Sequence, residues 1–377
     1  MTDEHYFDRE QSQVKHRVLQ RYLQAFAPII GSKYSEIVYV DCMAGPWKSQ
    51  DNGFRDTSFH TAISVFQECK DRNKCRRVRA LLIEKDPERF PLLADYAKSV
   101  HGIEVTTRNW DFTQHVGDIV AFAKESGNSF PFFFIDPTGW KEIAPSLIRP
   151  ILQVSPGEVL INFMTSWIRR FFEDREKPFH ELLGHDAVER LRGLSEEQRE
   201  DEIVSVYAAA IREVGHYSYT CAMPIMMPDR DDIHYHLVFG TRNVRGLEEF
   251  KKTEDVSIRF MHELRANAQR RRALQATGQG FLLSPSETYR ERRFGMLNHR
   301  RREDARKAVV DLLNKRHKAL YSEIYQEAMQ FATVIDSDLR EWLEEWREAG
   351  KIRYLNWAQR QKVPHGDTIV EACGDLA

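Results

Sequence analysis

An acid, a proline, a glycine and an aromatic follow an apolar run in Pro131-Phe132-Phe133-Phe134-Ile135-Asp136-Pro137-Thr138-Gly139-Trp140. Residues of these types can hold an amino group for transfer chemistry. A carboxylate and a backbone carbonyl accept the two amino protons while an aromatic ring stacks on the base that carries them. The nitrogen lone pair is then free to face an electrophilic methyl. Positioning supplies most of the rate in such a step, and no strong base is needed. Asp136 and the Pro137 carbonyl fit the first two roles, and Trp140 fits the third. The alternative is a turn closed by Asp136 with Trp140 packed in the core.

A second segment has the same design: Ile37-Val38-Tyr39-Val40 runs into Asp41-Cys42-Met43-Ala44-Gly45-Pro46-Trp47. Gly45 lets a ligand approach the backbone at a helix N-terminus. Glu84, after Arg79 to Ile83, is placed to accept hydrogen bonds from ribose hydroxyls. As an alternative, it is a helix N-terminal acid beside Pro87. Asp111, after Ile103 to Thr107, can bind a base amino group or cap a helix before Phe112. With Asp41, Met43 and Lys85 these residues form a candidate cofactor set. There is no phosphate-binding loop and no multi-glycine cradle, which disfavours nucleoside triphosphates and pyrophosphate dinucleotides. Adenosine cofactors without phosphates remain, S-adenosylmethionine first.

The elements that must position these residues alternate between strand and helix. Val14, Val18, Leu19, Tyr22, Leu23, Phe26 and Ile30 give one apolar stripe on a helix from about Asp8 to Ile30. Strands are predicted at Glu36–Asp41, Arg79–Ile83, Ile103–Thr107, Phe132–Ile135 and Glu158–Phe163. Helices are predicted near Phe59–Cys69, from Pro87 through Phe90, Leu93 and Tyr96, and near Val116–Lys124. Short loops and right-handed crossovers make this a doubly wound, Rossmann-like α/β sheet. A helical stretch from Thr165 to Val214 precedes two antiparallel edge strands, Tyr217–Met226 and His234–Thr241, joined through Pro228 to Asp232. Ligands bind outside the carboxyl ends of strands in such sheets.

From Glu303 the pattern changes to short helices (Glu303–Asn314, Ser322–Ala332, Leu339–Ala349) and the strand Lys351–Leu355. That is the layout of a winged helix-turn-helix, although its third helix is acidic and a poor face for phosphates. The expected division is 1–262 for the methyltransferase-type domain, 263–302 for a basic linker or helical segment, and 303–377 for the winged-helix-like domain.

The net charge of −2 hides fifteen Lys/Arg against five Asp/Glu between Arg265 and Lys318. Such an excess marks a polyanion partner or a solvated helical face. Arg270, Arg271, Arg300 and Arg301 belong to its clusters. Together with Lys15, His16, Arg169 and Arg170 they are candidate nucleic-acid contacts; His16 can instead be a polar residue on an exposed helix face. No apolar run approaches the roughly 20 residues that span a bilayer, so no membrane partner is expected. The polar, acidic N-terminus does not read as a signal peptide. Five cysteines without metal-ligand spacing fit reduced thiols in a cytoplasmic protein, and no metal site is expected.

In combination these segments are similar to the three-Cys-motif partner proteins of bacteria. The likeness runs through Lys15-His16 to Tyr22-Leu23, YVDCMAGPW (39–47), LLIEKDP (81–87), FFFIDPTGW (132–140) and EVLINFM (158–164). It continues through Ile168-Arg169-Arg170-Phe171, YHLVFGT (235–241) and the tail, and so covers nearly the whole chain. Cys42-Met43 stands where relatives usually have Gly-Phe. The resemblance implies a class I S-adenosylmethionine methyltransferase fold and a neighbouring three-cysteine protein that looks like a radical S-adenosylmethionine iron–sulfur protein. The Asp-Pro-x-Gly turn resembles that of some tRNA guanine-N2 methyltransferases more than the Asp-Pro-Pro-Tyr of other base amino-methyltransferases. The expected function is methyl transfer to an amino nitrogen of a nucleic-acid base. The alternative is a non-catalytic methyltransferase-like subunit that binds nucleic acid or protein for a neighbouring enzyme.

Overall fold

Strands covered on both faces need apolar residues at nearly every position, not at alternate ones. The computed structural model describes residues 6, 9–45, 49, 51, 53–137, 139–166, 176–277, 291–358, 361–374 and 376. In it, every residue of β1 (Glu36–Asp41), β4 (Ser129–Ile135) and β5 (Glu158–Phe163) is buried. β2 (Arg77–Ile83) and β3 (Glu104–Arg108) extend the sheet beyond β1, and β3 is its partly exposed edge. The seven strands run in the order β3-β2-β1-β4-β5-β7-β6. β1 to β5 are parallel, whereas β7 (Ile233–Thr241) pairs antiparallel with both β5 and β6 (Tyr219–Met226). This is the Rossmann-like methyltransferase sheet with an antiparallel edge hairpin that the sequence predicts. Its order reverses between β1 and β4, which creates a crevice at their carboxyl ends.

Successive residues of one strand serve opposite layers. On one side, Tyr39 of β1 packs 5.8 Å from Phe66 of α2 (Ser58–Asp71), and Phe132 of β4 packs 5.8 Å from Tyr22 of α1 (Glu10–Gly31). α3 (Phe90–Ser99) joins this layer through Tyr96, 4.8 Å from Phe59. On the other side, Val38, Val40, Phe133 and Ile135 share a core with α4 (Val116–Lys124) and α5 (Arg149–Leu152). The same core takes in α6 (Glu176–Leu183), α7 (His185–Leu191) and α8 (Glu196–Gly215).

Two local predictions are corrected here. The helix expected to open at Pro87 opens at Phe90 with Pro91 in its first turn, because 86–89 form a separate turn in which Asp86 accepts from the Glu88 amide at 2.9 Å. The helical stretch ending near Val214 is divided between 176 and 215. Gly184, at φ 86°, separates α6 from α7, and a capping box of Ser195 and Gln198 opens α8.

α9 runs unbroken from Val244 to Thr277 and crosses the expected 262/263 boundary. Arg265 within it is 1% exposed and donates to the Met227 and Arg230 carbonyls at 2.8 and 3.0 Å. This part of the basic segment is therefore built into the first compact unit, Met1–Glu291, and is not a linker. The second unit is Arg292–Ala377, so it begins before residue 303. It contains α10 (Arg292–Arg316), β8 (Lys318–Leu320), α11 (Tyr321–Ala328), α12 (Asp336–Glu348), β9 (Ile352–Tyr354) and β10 (Ile369–Ala372). Its strands form an antiparallel sheet in the order β8-β10-β9.

The acidic helix α12 buries Leu339, Trp342, Leu343 and Trp346, and its acids meet arginines of α10. Arg302 pairs with Asp338 and, at 3.3 Å, with Glu341; Arg306 pairs with Glu345 at 2.9 Å. Part of the basic excess is thus neutralised inside the unit. Among the described residues, no helix is long and apolar enough to cross a membrane, and no His/Cys/Asp/Glu group could hold a metal ion. Among the described residues the five cysteines form no disulfide, and all but Cys373 are buried.

Candidate functional site

The crevice at the carboxyl ends of the parallel strands is a cavity of about 530 Å³ within the first unit. It gathers Met43 and Gly45 after β1, Glu84 and Lys85 after β2, Asp111 after β3, and Asp136 and Pro137 after β4. Lys15 and His16 of α1 line it as well.

Asp41 stands behind the wall, fully enclosed. Ser58 Oγ and Tyr39 OH donate to its Oδ2 at 2.8 and 3.1 Å, and the Met43 amide donates to Oδ1 at 3.2 Å. It thereby ties the turn after β1 to α2 and does not face the cavity. Burial pushes its carboxyl up to about 7; the Ser58 hydrogen bond opposes this, and the nearby Asp136 charge adds to it.

Gly45 is where this turn meets Glu84. A Cβ at position 45 would lie 1.6 Å from Glu84 Oε2, so only glycine lets backbone and carboxylate share the space. Glu84 Oε1 accepts from the Asp86 amide at 2.7 Å, which fixes the side chain at the end of β2. Gly45→Ala is expected to displace Glu84 and cost about 1–3 kcal/mol in denaturant unfolding. In the Gly45→Ala/Glu84→Ala double variant the cost should be clearly less than the sum of the singles. Additivity would show that the two do not compete for space.

Asp111 performs the capping role and lines the cavity at once. Its Oδ1 accepts from the Thr113 amide at 3.0 Å and the Thr113 hydroxyl at 2.6 Å, opening the 3₁₀ turn Phe112–Gln114. Lys85 reaches across to Glu142 at 2.8 Å.

Both oxygens of Asp136 are engaged. Lys15 Nζ pairs with Oδ2, and Asn162 Nδ2 donates to Oδ1 at 2.6 Å. A carboxylate only accepts, so this bond sets the Asn162 amide with its nitrogen toward Asp136. Tyr235 of β7 also lines the cavity, anchored by its hydroxyl donating to the Gln11 carbonyl at 2.7 Å. Burial raises its phenol pKa, and Asp136 adds to the effect.

Several expected site residues are placed differently from the expectation. Trp140 is in the core: its ring stacks on Phe179 at 4.8 Å and is absent from the cavity lining. His16 is not on an exposed helix face. It is 4% exposed and shares a 2.9 Å hydrogen bond with Tyr6 OH. Burial, then the charges of Lys15 and Arg9, lowers its pKa well below the ordinary histidine value, so the imidazole is neutral. Arg270 is exposed on α9, and Arg271 pairs with Glu10. Arg300 and Arg301 lie on α10 of the second unit, with Arg301 3.7 Å from Asp304. Arg169 and Arg170 lie outside the described residues.

Asn162 and Tyr235 were not singled out from the sequence. Asn162 carried a signal there: it is polar in a strand buried on both faces. β4–β5 register pairs Ile135 with Ile161, which brings the next residues, Asp136 and Asn162, side by side.

No family model and no curated protein matches the chain. Solved structures similar to it include a Legionella pneumophila protein of the family model DUF519, 12% identical over 64% of this chain and 90% of its own, with a TM-score of 0.40. Another is a DUF574 family protein from Streptomyces avermitilis, 11% identical over 61% and 83%, with a TM-score of 0.34. Loganic acid methyltransferase with SAH is 10% identical over 73% and 91%, with a TM-score of 0.31. The methyltransferase-like character of the fold rests on the strand order and register described above.

Proposed function

We propose that the chain is an S-adenosylmethionine-dependent methyltransferase acting on an amino nitrogen of a nucleic-acid base. The observation that carries this reading is one cavity uniting Glu84, Asp111 and Asp136, the acids after β2, β3 and β4. Glu84 would accept from the ribose hydroxyls and Asp111 from the adenine amino group, with Met43, Gly45 and Lys85 lining the same part of the cavity. The glycine that alone fits against Glu84 is the feature of this chain that suits such a ligand. When bound, the cofactor supplies the electrophilic methyl. Asp136 and the Pro137 carbonyl hold the amino protons, and Tyr235 takes the aromatic role expected of Trp140. Asp41 acts through the turn it secures.

In the same reading the chain is a three-Cys-motif partner protein, and the iron–sulfur protein implied by that resemblance is its protein partner. The second unit has the helix–strand–helix–helix–strand–strand order of a winged helix-turn-helix. Its α12 acids are occupied by α10 arginines, so nucleic acid is met by the basic residues outside α12. A methyltransferase-like subunit without transfer activity is the second reading, favoured by the engagement of both Asp136 oxygens.

Calorimetry with S-adenosylmethionine tests the proposal. Wild type is expected to bind, and Glu84→Ala to bind about tenfold more weakly, the loss expected for hydrogen bonds to a charged acceptor. Absence of binding by wild type would sink the methyltransferase reading.

A further inference from the structure

The acceptor side of the cavity contains its own cation. Lys15 and Asp136 pair there with side chains only 11% and 17% exposed, and Asn162 occupies the other carboxylate oxygen. The remaining cations of the lining are also matched: Arg9 with Asp56 at 2.9 Å, Lys85 with Glu142 at 2.8 Å, and Arg89 with Asp86 at 3.1 Å. His16 is neutral, and Asp41 is enclosed behind three donors. The seat beside Asp136 is thus balanced by Lys15 before any substrate enters, while Glu84 and Asp111 stand at the β2 and β3 ends of the cavity.

We propose that Lys15 determines specificity at this seat: by compensating Asp136 it admits neutral N–H groups, such as the exocyclic amino group of a base, and excludes alkylammonium cations. The inference rests on the reading of Asp136 as the acceptor seat. A second cation entering an enclosed, already balanced pair loses its hydration without gaining a free counter-charge. A neutral amino group loses far less and still finds the second lone pairs of the Asp136 oxygens and the Pro137 carbonyl. Without Lys15, Asp136 would be an uncompensated anion, and the preference should reverse.

The test is calorimetric titration of the full chain with two probes. One is n-butylammonium, which copies the Lys15 side chain; the other is cytidine, a neutral amino-bearing nucleoside. Wild type is expected to bind cytidine more tightly than n-butylammonium. Lys15→Met and, as a polar control of similar length, Lys15→Gln should each raise n-butylammonium affinity at least about tenfold. The double variant Lys15→Met/Asp136→Asn should lose that gain. Equal n-butylammonium affinity in wild type and both single variants, or tighter n-butylammonium than cytidine binding by wild type, overturns the proposal. Neither titration needs cofactor or methyl transfer, so failure here is distinct from failure of S-adenosylmethionine binding.

Discussion

Asp136→Ala is expected to lower methyl transfer to bulk tRNA or DNA by about 10²–10³-fold while leaving S-adenosylmethionine affinity near that of wild type. The separation follows from position. Asp136 ends β4 on the acceptor side, whereas Glu84 and Asp111 follow β2 and β3. The carboxylate orients the amino group, and an acceptor nitrogen that turns freely rarely presents its lone pair to the methyl. Asp136→Asn should be nearly as harmful. Its amide can still accept from Asn162 on one side, but on the other it would set an N–H against the Lys15 ammonium, donor against donor. Incorporation of labelled methyl, measured beside calorimetry, checks both variants. Wild-type rates in Asp136→Ala would remove this residue from the mechanism and favour the non-catalytic reading.

The sequence and the structure agree where one strong local signal decides the outcome. β1 and β5 match their predicted spans, each built around an apolar run, since a strand buried on both faces tolerates few polar residues. α4 likewise matches its predicted span. Disagreement arises where a residue's fate depends on partners distant in the chain. Trp140 has the right type for a stacking face, but its ring is taken up by Phe179, which lies on a helix much later in the chain. Lys15 and Asp136 lie 121 residues apart, and nothing local to either says that they meet. His16 follows the same logic: helical spacing places it beside the apolar stripe, and tertiary packing, with Tyr6 as a hydrogen-bond partner, makes it a buried, neutral residue.

Asp41 shows that an acid at a strand end can serve the fold before it serves a ligand, and pH should expose this. Its carboxyl has an ordinary value of 3.8 and is raised to about 7 in the folded protein, chiefly by burial. Below about pH 4 both the folded and unfolded chains hold the proton, and Asp41 costs nothing. Between about 4 and 7 the unfolded chain has released the proton while the folded chain retains it, so stability falls as pH rises. Above about 7 both forms are ionised and the full penalty, on the order of 4 kcal/mol, is present. Glu158 has the same sign. It is also buried, rises from 4.5 to about 7, and accepts from Tyr22 OH and Thr241 Oγ1 at 2.7 Å each. Asp41 and Glu158 therefore each lower stability from pH 4 to pH 7, while His16 and His60, whose imidazoles burial holds below the ordinary value, act with the opposite sign over part of that range. Asp41→Asn should remove about half of what the two carboxyls contribute and leave the histidine contribution in place. The asparagine keeps an oxygen for the Met43 amide and turns its NH₂ toward Ser58 and Tyr39, whose hydroxyls can accept as well as donate. Denaturant unfolding of both proteins across this pH range measures the difference, and an unchanged slope in Asp41→Asn would show that Asp41 is already ionised in the native state at pH 4.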